Sequence, residues 1–273
     1  VAEGGQVYAG GTAGLITHSA NWSSPNQLST NPGYDPTDLA ATTTHLAASD
    51  FWSLRLYGRG EPTDPVEVAS WNNYGASVCV EAADNVLWVC DTDQIRAVDV
   101  STPAAPALVQ VIESPGSNAD ILAVGERLFV AGTSLREVTP GVGQKVLTSG
   151  SYSRRLAQLG SHLYAAHSNG NVTVWNIDGG ATIVSSTKVD SDLRSIAVDA
   201  DRLYSVGGDG LVIWDVANPG NPTKQGTYDG NGTTSLNFGA VAARDDVAYV
   251  GSWGNSFKVL DVTDPMAPEL KKS

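Results

Sequence analysis

The sequence predicts an all-β fold, a single seven-bladed β-propeller of four-stranded antiparallel blades. Three observations carry that expectation. A unit of two apolar strands followed by a Pro-containing turn recurs about every forty residues, the length of one four-stranded blade. Each clear copy holds one aromatic marker, at Tyr8, Trp88, Phe129, Tyr164, Tyr204 and Tyr249. No stretch keeps helical periodicity for three turns, while short alternating runs rich in β-branched and aromatic residues recur throughout.

Taken in order, the units divide one domain, 1–273, roughly into 1–30, 31–70, 71–113, 114–150, 151–189, 190–228 and 229–273. The first holds Gln6-Val-Tyr-Ala-Gly-Gly, then Gly14-Leu-Ile-Thr, with Val1–Glu3 expected as the stub of its innermost strand. The double gap from Tyr8 to Trp88 needs a degenerate copy, supplied by Thr44-His-Leu-Ala-Ala48 and Leu54-Arg-Leu-Tyr57. Asn85-Val-Leu-Trp-Val-Cys opens the third unit, Arg127-Leu-Phe-Val-Ala-Gly the fourth, and His162-Leu-Tyr-Ala-Ala-His the fifth. In the sixth the four strands read as Ser195–Val198, Leu203–Gly207, Leu211–Asp215 and Thr223–Thr227, separated by Asp, Asn, Gly and Pro turns. Asp246-Val-Ala-Tyr-Val-Gly and Phe257–Pro265 repeat that order in the seventh.

Gly210-Leu-Val-Ile-Trp-Asp-Val-Ala-Asn-Pro-Gly-Asn-Pro222 resembles the LVIVD repeat of bacterial and archaeal surface propellers. The resemblance is strong in units three, six and seven, moderate in one and five, and weak in two and four. Unit four has Arg136-Glu-Val-Thr-Pro-Gly in place of Asp-Val-x-x-Pro. The resemblance implies a propeller in an extracytoplasmic setting and implies no reaction.

Sixteen Lys plus Arg against 29 Asp plus Glu leave a net charge of −13. That excess argues against nucleic acid, whose phosphates nothing here could neutralise, and disfavours an anionic membrane surface. With 41% hydrophobic residues the chain can build a core, so disorder is not expected. No run approaches the ~18 apolar residues of a membrane helix. The start at Val1, without Met, is expected of a piece of a longer chain. Acidity, few lysines and Ser/Thr/Asn/Gly-rich loops lean towards export, to the cell surface, the medium or the periplasm.

Most conspicuous residues have a structural reading. Asp99, Asp215, Asp261 and Asn176 each end a third strand before a turn, where an Asx side chain accepts local backbone N–H groups. The marker aromatics, with Trp175 and Trp214, are expected between sheets. Cys79 and Cys90 stand equidistant from the turn at Asp84-Asn85, so antiparallel pairing sets them opposite each other, and an exported protein favours a disulfide over free thiols. The four His are scattered without metal-ligand spacing, and no nucleophile elbow is present. Asp91-Thr-Asp93, Asp190-Ser-Asp192 and Asp229-Gly-Asn-Gly232 fall short of a calcium loop. No cofactor is expected, a Ca²⁺ assembled across blades being the alternative to solvated acidic loops.

Function is expected on the face shared by the loops between blades and the loops from second to third strands. There the sequence collects Trp52, Trp71, Tyr74, Tyr152, Arg154, Arg194 and Trp253, with excess loop length at 28–43 and 228–238. Arg154 and Arg194 occupy one position in adjacent blades, either to hold an anionic group or to offset Asp190 and Asp192. Aromatic rings beside amides and arginines suit a sugar or peptide. The expectation is a non-enzymatic recognition or adhesion propeller that binds a glycan or protein. The alternative is a polysaccharide lyase or hydrolase using Tyr152, Arg154 and His167.

Overall fold

A computed structural model describes residues 2–3, 6–11, 14–19, 27–31, 36–50, 52–60, 65–72, 79–230, 238–252 and 256–272, with Tyr8 the one described side chain before residue 36. The chain divides into two compact units, 1–146 and 147–273.

All described strands pair antiparallel with their neighbours in sequence, four to a sheet. The first unit begins with β1 (Ala2–Glu3), β2 (Gln6–Gly11), β3 (Gly14–Ser19) and β4 (Gln27–Asn31). Next come β5 (Asp38–Ala41), β6 (His45–Ser49), β7 (Ser53–Gly58) and β8 (Glu67–Asn72). The third sheet is β9 (Cys79–Ala83), β10 (Val86–Cys90), β11 (Gln94–Asp99) and β12 (Ala107–Glu113). The fourth is β13 (Asn118–Val124), β14 (Arg127–Gly132), β15 (Ser134–Thr139) and β16 (Gly143–Ser149). The second unit holds β17 (Ser153–Leu159), β18 (His162–His167), β19 (Asn171–Asn176) and β20 (Thr182–Lys188). There follow β21 (Ser195–Asp199), β22 (Arg202–Gly207), β23 (Gly210–Asp215) and β24 (Thr223–Tyr228), then β25 (Phe238–Arg244), β26 (Val247–Ser252), β27 (Ser256–Asp261) and β28 (Glu269–Lys272).

Burial follows strand position. β14, β18 and β22 are each buried at five consecutive residues, as strands covered on both faces must be, whereas the outermost β12 and β20 are mostly exposed. Within each unit the cores therefore lie between successive sheets. Tyr164, Val174, Ile196 and Val212 fill one such layer, and Tyr204, Ile213, Phe238 and Val250 the next. Third-strand Trp175 and Trp214 are buried, their indole N–H groups donating to Thr173 Oγ1 and Ser205 Oγ at 3.1 Å each.

The Asx reading of the third-strand ends holds at each position. Asp99, Asn176, Asp215 and Asp261 accept the backbone N–H of Ser101, Asp178, Ala217 and Thr263 at 2.8, 2.8, 2.9 and 2.9 Å. Each bond runs two residues forward and fixes the turn that leads to the outermost strand. At Asp99 and Asp261 these bonds hold the carboxyl below its ordinary range.

The turn between first and second strands uses left-handed residues: Asp84, Gly125, Gly160, Ala200 and the pair Asp245–Asp246 all have positive φ. Alanine at φ 52° is the strained member, because its Cβ crowds the following carbonyl. Ala200→Gly should raise stability by about 0.5–1 kcal/mol, glycine's added freedom in the unfolded chain offsetting part of the relief. A urea midpoint below that of the wild type would refute this.

The expectation of a single ring of seven equivalent blades needs correction. Six sheets, β5 to β28, are blades with packed cores, so the propeller counts six blades of four antiparallel strands. The first sheet, β1–β4, is not their equal. Its first strand is a two-residue element with only the pairs Ala2↔Val7 and Glu3↔Gln6, too short to present a core face. Its one described side chain, Tyr8, packs on Leu46, Ala48 and Tyr57. Within the expected excess loop at 28–43, residues 28–31 and 38–41 are strand. His45 opens β6, the second strand of its sheet.

Candidate functional site

In the second unit the connection from β20 to β21 is held from below. Asp190 is 2% exposed; its Oδ1 accepts the N–H of Asp192 at 2.7 Å and its Oδ2 the N–H of Asp209 at 3.2 Å. Gly170 and Gly207 admit this loop, since a Cβ at either would lie 1.8 Å from the Asp190 carbonyl or 2.2 Å from that of Asp192. Arg194 closes it by donating its backbone N–H to Val206 O at 2.9 Å. The loop is thus fixed through its backbone and through Asp190, not through its exposed side chains.

On that base stand the predicted arginines. Arg194 donates from Nε and Nη2 to Asp192 Oδ2 at 2.9 and 2.6 Å, and from Nη1 to Phe238 O at 3.4 Å. Arg154 lies at a β-bulge between Ser153 and Arg155, where the pairing of β17 with β18 shifts register. A bulge frees its residue from ladder alternation and re-aims the side chain. Nη1 of Arg154 comes within 3.8 Å of Asp192 Oδ1, an ion-pair distance but too long for a hydrogen bond. The Asp192 side chain, 45% exposed, therefore stands between two guanidiniums and satisfies one. Half-buried Tyr152 lies two residues before Arg154, its carbonyl accepting the N–H of Ser168 at 2.8 Å.

His167, offered as a catalytic residue in the enzymatic alternative, is sealed. It is 2% exposed, with Nδ1 3.0 Å from Ser153 Oγ and Nε2 2.8 Å from Thr173 Oγ1. Burial lowers its pKa, so the ring stays neutral. Ser153 is fully buried, so the pair cannot meet a substrate.

The nominated aromatics separate. Trp52 is 80% exposed in the β6–β7 turn, where Asp50 Oδ1 accepts its backbone N–H at 2.6 Å. Trp71 is corrected: it lies on β8 opposite Leu54 and packs, partly buried, on the cluster of Leu54, Leu56, Val80 and Val89. Tyr74 and Trp253 fall outside the described residues. Cys79 and Cys90 are opposite partners on β9 and β10, Cα atoms 5.1 Å apart, joined by a disulfide. Among the described residues no group of three or more His, Cys, Asp or Glu is placed to hold a metal ion.

Two polar constellations of the first unit escaped the sequence reading. On the innermost strands, Asp38 Oδ2 accepts the N–H of Val80 at 2.9 Å, while Glu81 accepts the N–H groups of Ala82 and Ala123. Burial, then the charges of Asp120 and Asp38, push the Glu81 carboxyl up to about 8. Arg136, where unit four departs from the repeat, is 2% exposed and donates to Asn118 Oδ1 and Pro115 O at 2.5 and 2.9 Å, tying down the β12–β13 connection. Neither was legible, because in each case the partners come from different strands or blades.

Comparison with known proteins places these elements. The LVIVD repeat matches residues 192–230 and 239–273. The structure is similar to the periplasmic gluconolactonase of Pseudomonas aeruginosa, at 14% identity and TM-score 0.78, covering 98% of this chain and 94% of that one. It is also similar to the WD40 propeller domain of Doa1, at 14% identity and TM-score 0.73, covering 95% and 90%. A third likeness is to the WD40 repeats of RRP9, at 12% identity and TM-score 0.73, covering 91% and 84%. No curated protein sequence matches the chain. At these identities the solved structures establish fold alone. The chain is thus a β-propeller of four-stranded antiparallel blades that carries LVIVD repeats over residues 192–230 and 239–273.

Proposed function

We propose that this is a non-catalytic recognition propeller, working outside the cytoplasm, that binds a protein partner through the face of its second unit around Tyr152, Arg154 and Arg194. One observation carries the reading. Arg154 stands half-exposed on a bulge, with Nε and Nη2 unspent among the described residues, beside an arginine from the next blade. A guanidinium set out of the ladder and left without a hydrogen bond to its acid neighbour is poor stabilisation and good recognition.

The loop beneath is rigid, so little ordering is needed on binding. The Cys79–Cys90 disulfide supports an extracytoplasmic setting, since such bonds persist in oxidising compartments. A hydrolytic reading by analogy with the gluconolactonase has less support, because His167 beside this face is buried and doubly bonded. Exposed Trp52 is a candidate second contact in the first unit.

The test is capture of partners from an extracytoplasmic fraction, beside a glycan array, with wild type and Arg154→Ala/Tyr152→Ala. The double variant should bind the captured partner about 1–3 kcal/mol more weakly while melting as the wild type does. Equal binding by the two proteins would place the site elsewhere. A hit on the array alone would replace the protein partner with a glycan.

A further inference from the structure

We infer that Arg154 and Arg194 form a receptor for a single carboxylate of a protein ligand, and that Asp192 occupies this receptor in the free protein. The inference rests on the recognition function proposed above and names its chemistry.

Two guanidiniums face one carboxylate. Asp192 engages Arg194 through one oxygen, Oδ2, and leaves Oδ1 at 3.8 Å from Arg154. Being two residues from Arg194, its short side chain is tethered on the Arg194 side. A carboxylate arriving from solvent has no tether and can take N–H donors from both forks, the geometry in which arginine holds carboxylates best. Asp192 is also dispensable to its own loop. The backbone is fixed by Asp190 beneath, by Gly170 O accepting the Val189 N–H at 3.0 Å, and by the Arg194 N–H bond to Val206 O at 2.9 Å. A half-exposed side chain on a fixed backbone can rotate into water at little cost.

Charge selects the ligand. The two arginines and Asp192 sum to one positive charge, on a protein carrying −13 overall. A polyanionic chain would meet the repulsion of the whole molecule, whereas one carboxylate in an otherwise neutral peptide segment meets only the local field.

The test titrates the whole chain with a terminally blocked tetrapeptide bearing one Glu, and with its Gln counterpart, following the arginine Nε–H resonances by NMR. The Glu peptide should shift the Arg154 and Arg194 signals, and the Gln peptide should not. Asp192→Asn should bind the Glu peptide roughly tenfold more tightly, because removing the internal occupant restores the competent fraction. Asp192→Ala serves as a second variant should the first fold poorly, and Arg154→Ala should cancel the gain. Equal titration by both peptides, no shift with either, or no gain in both Asp192 variants would each overturn the inference. Should the peptides fail while partner capture still depends on Arg154, recognition stands and its carboxylate chemistry falls. If capture too is indifferent to Arg154, both fall.

Discussion

Glu81→Gln should leave stability unchanged near pH 4 and raise it by a few kcal/mol near pH 8. The cause lies on the innermost strands of three successive sheets. Glu81 on β9 is largely withdrawn from water, lies near the charges of Asp120 on β13 and Asp38 on β5, and is pushed from 4.5 to about 8. Its partners are backbone N–H groups of Ala82 and Ala123, which a neutral carboxyl accepts as well as an ionised one, though less strongly. In the unfolded chain the same group ionises near 4.5. Between those values the folded protein holds one proton more than the unfolded protein, so stability falls as pH rises, by at most about 1.4 kcal/mol per unit. The contribution is complete below the unfolded value and is lost as pH climbs through the folded one. Glutamine has the same shape and cannot ionise, so the variant escapes that loss. Urea unfolding from about pH 4 to pH 9 should show two curves that coincide at the acid end and diverge towards the alkaline end. Parallel curves would mean that Glu81 ionises freely in the folded state.

What the sequence made legible was whatever one blade settles within itself. Asp99, Asn176, Asp215 and Asp261 could be read because an Asx turn reaches only two residues forward. The Cys79–Cys90 pairing could be read because both residues flank one hairpin. Relations between blades were out of reach. Register aligned Arg154 with Arg194 but did not tell which of Asp190 and Asp192 would turn inward. The backbone decided, burying Asp190 under Gly207 and leaving Asp192 to face both arginines. Trp71 was misread for a different reason. Trp-Asn-Asn-Tyr looks like a loop, yet β8 continues through Asn72, and strand pairing opposite Leu54 brings the indole onto the core. The count of blades failed at the chain start, where the stub expected at Val1–Glu3 was counted as the innermost strand of a full blade and the described element is Ala2–Glu3.

Gly226→Ala should cost the second unit about 3 kcal/mol, because its methyl intrudes where one blade rests on the next. Gly226 is buried on β24, and a Cβ there would lie 1.9 Å from Pro265 O and 3.0 Å from Pro265 C. Both are backbone atoms of the turn after β27, so no flexible side chain can yield. The position has a counterpart one blade earlier: Ser185 pairs with Val174 as Gly226 pairs with Ile213. Ser185 Oγ donates to Pro219 O at 2.7 Å, and Pro219 occupies in its turn the place of Pro265. The repeat's Asp-Val-x-x-Pro turn thus presents its proline carbonyl to the outer strand of the preceding blade. A small residue must meet it, bonding where there is room and lacking a side chain where there is none. Gly251→Ala is the control, since its Cβ would meet only the Ala240 Cβ at an ordinary 3.8 Å. At ~2–4 °C per kcal/mol, Gly226→Ala should melt roughly 6–12 °C below wild type, with Gly251→Ala close to it. Equal midpoints for the two variants would mean that the sheets slide freely at this contact, and the proline turn would not set the spacing between blades.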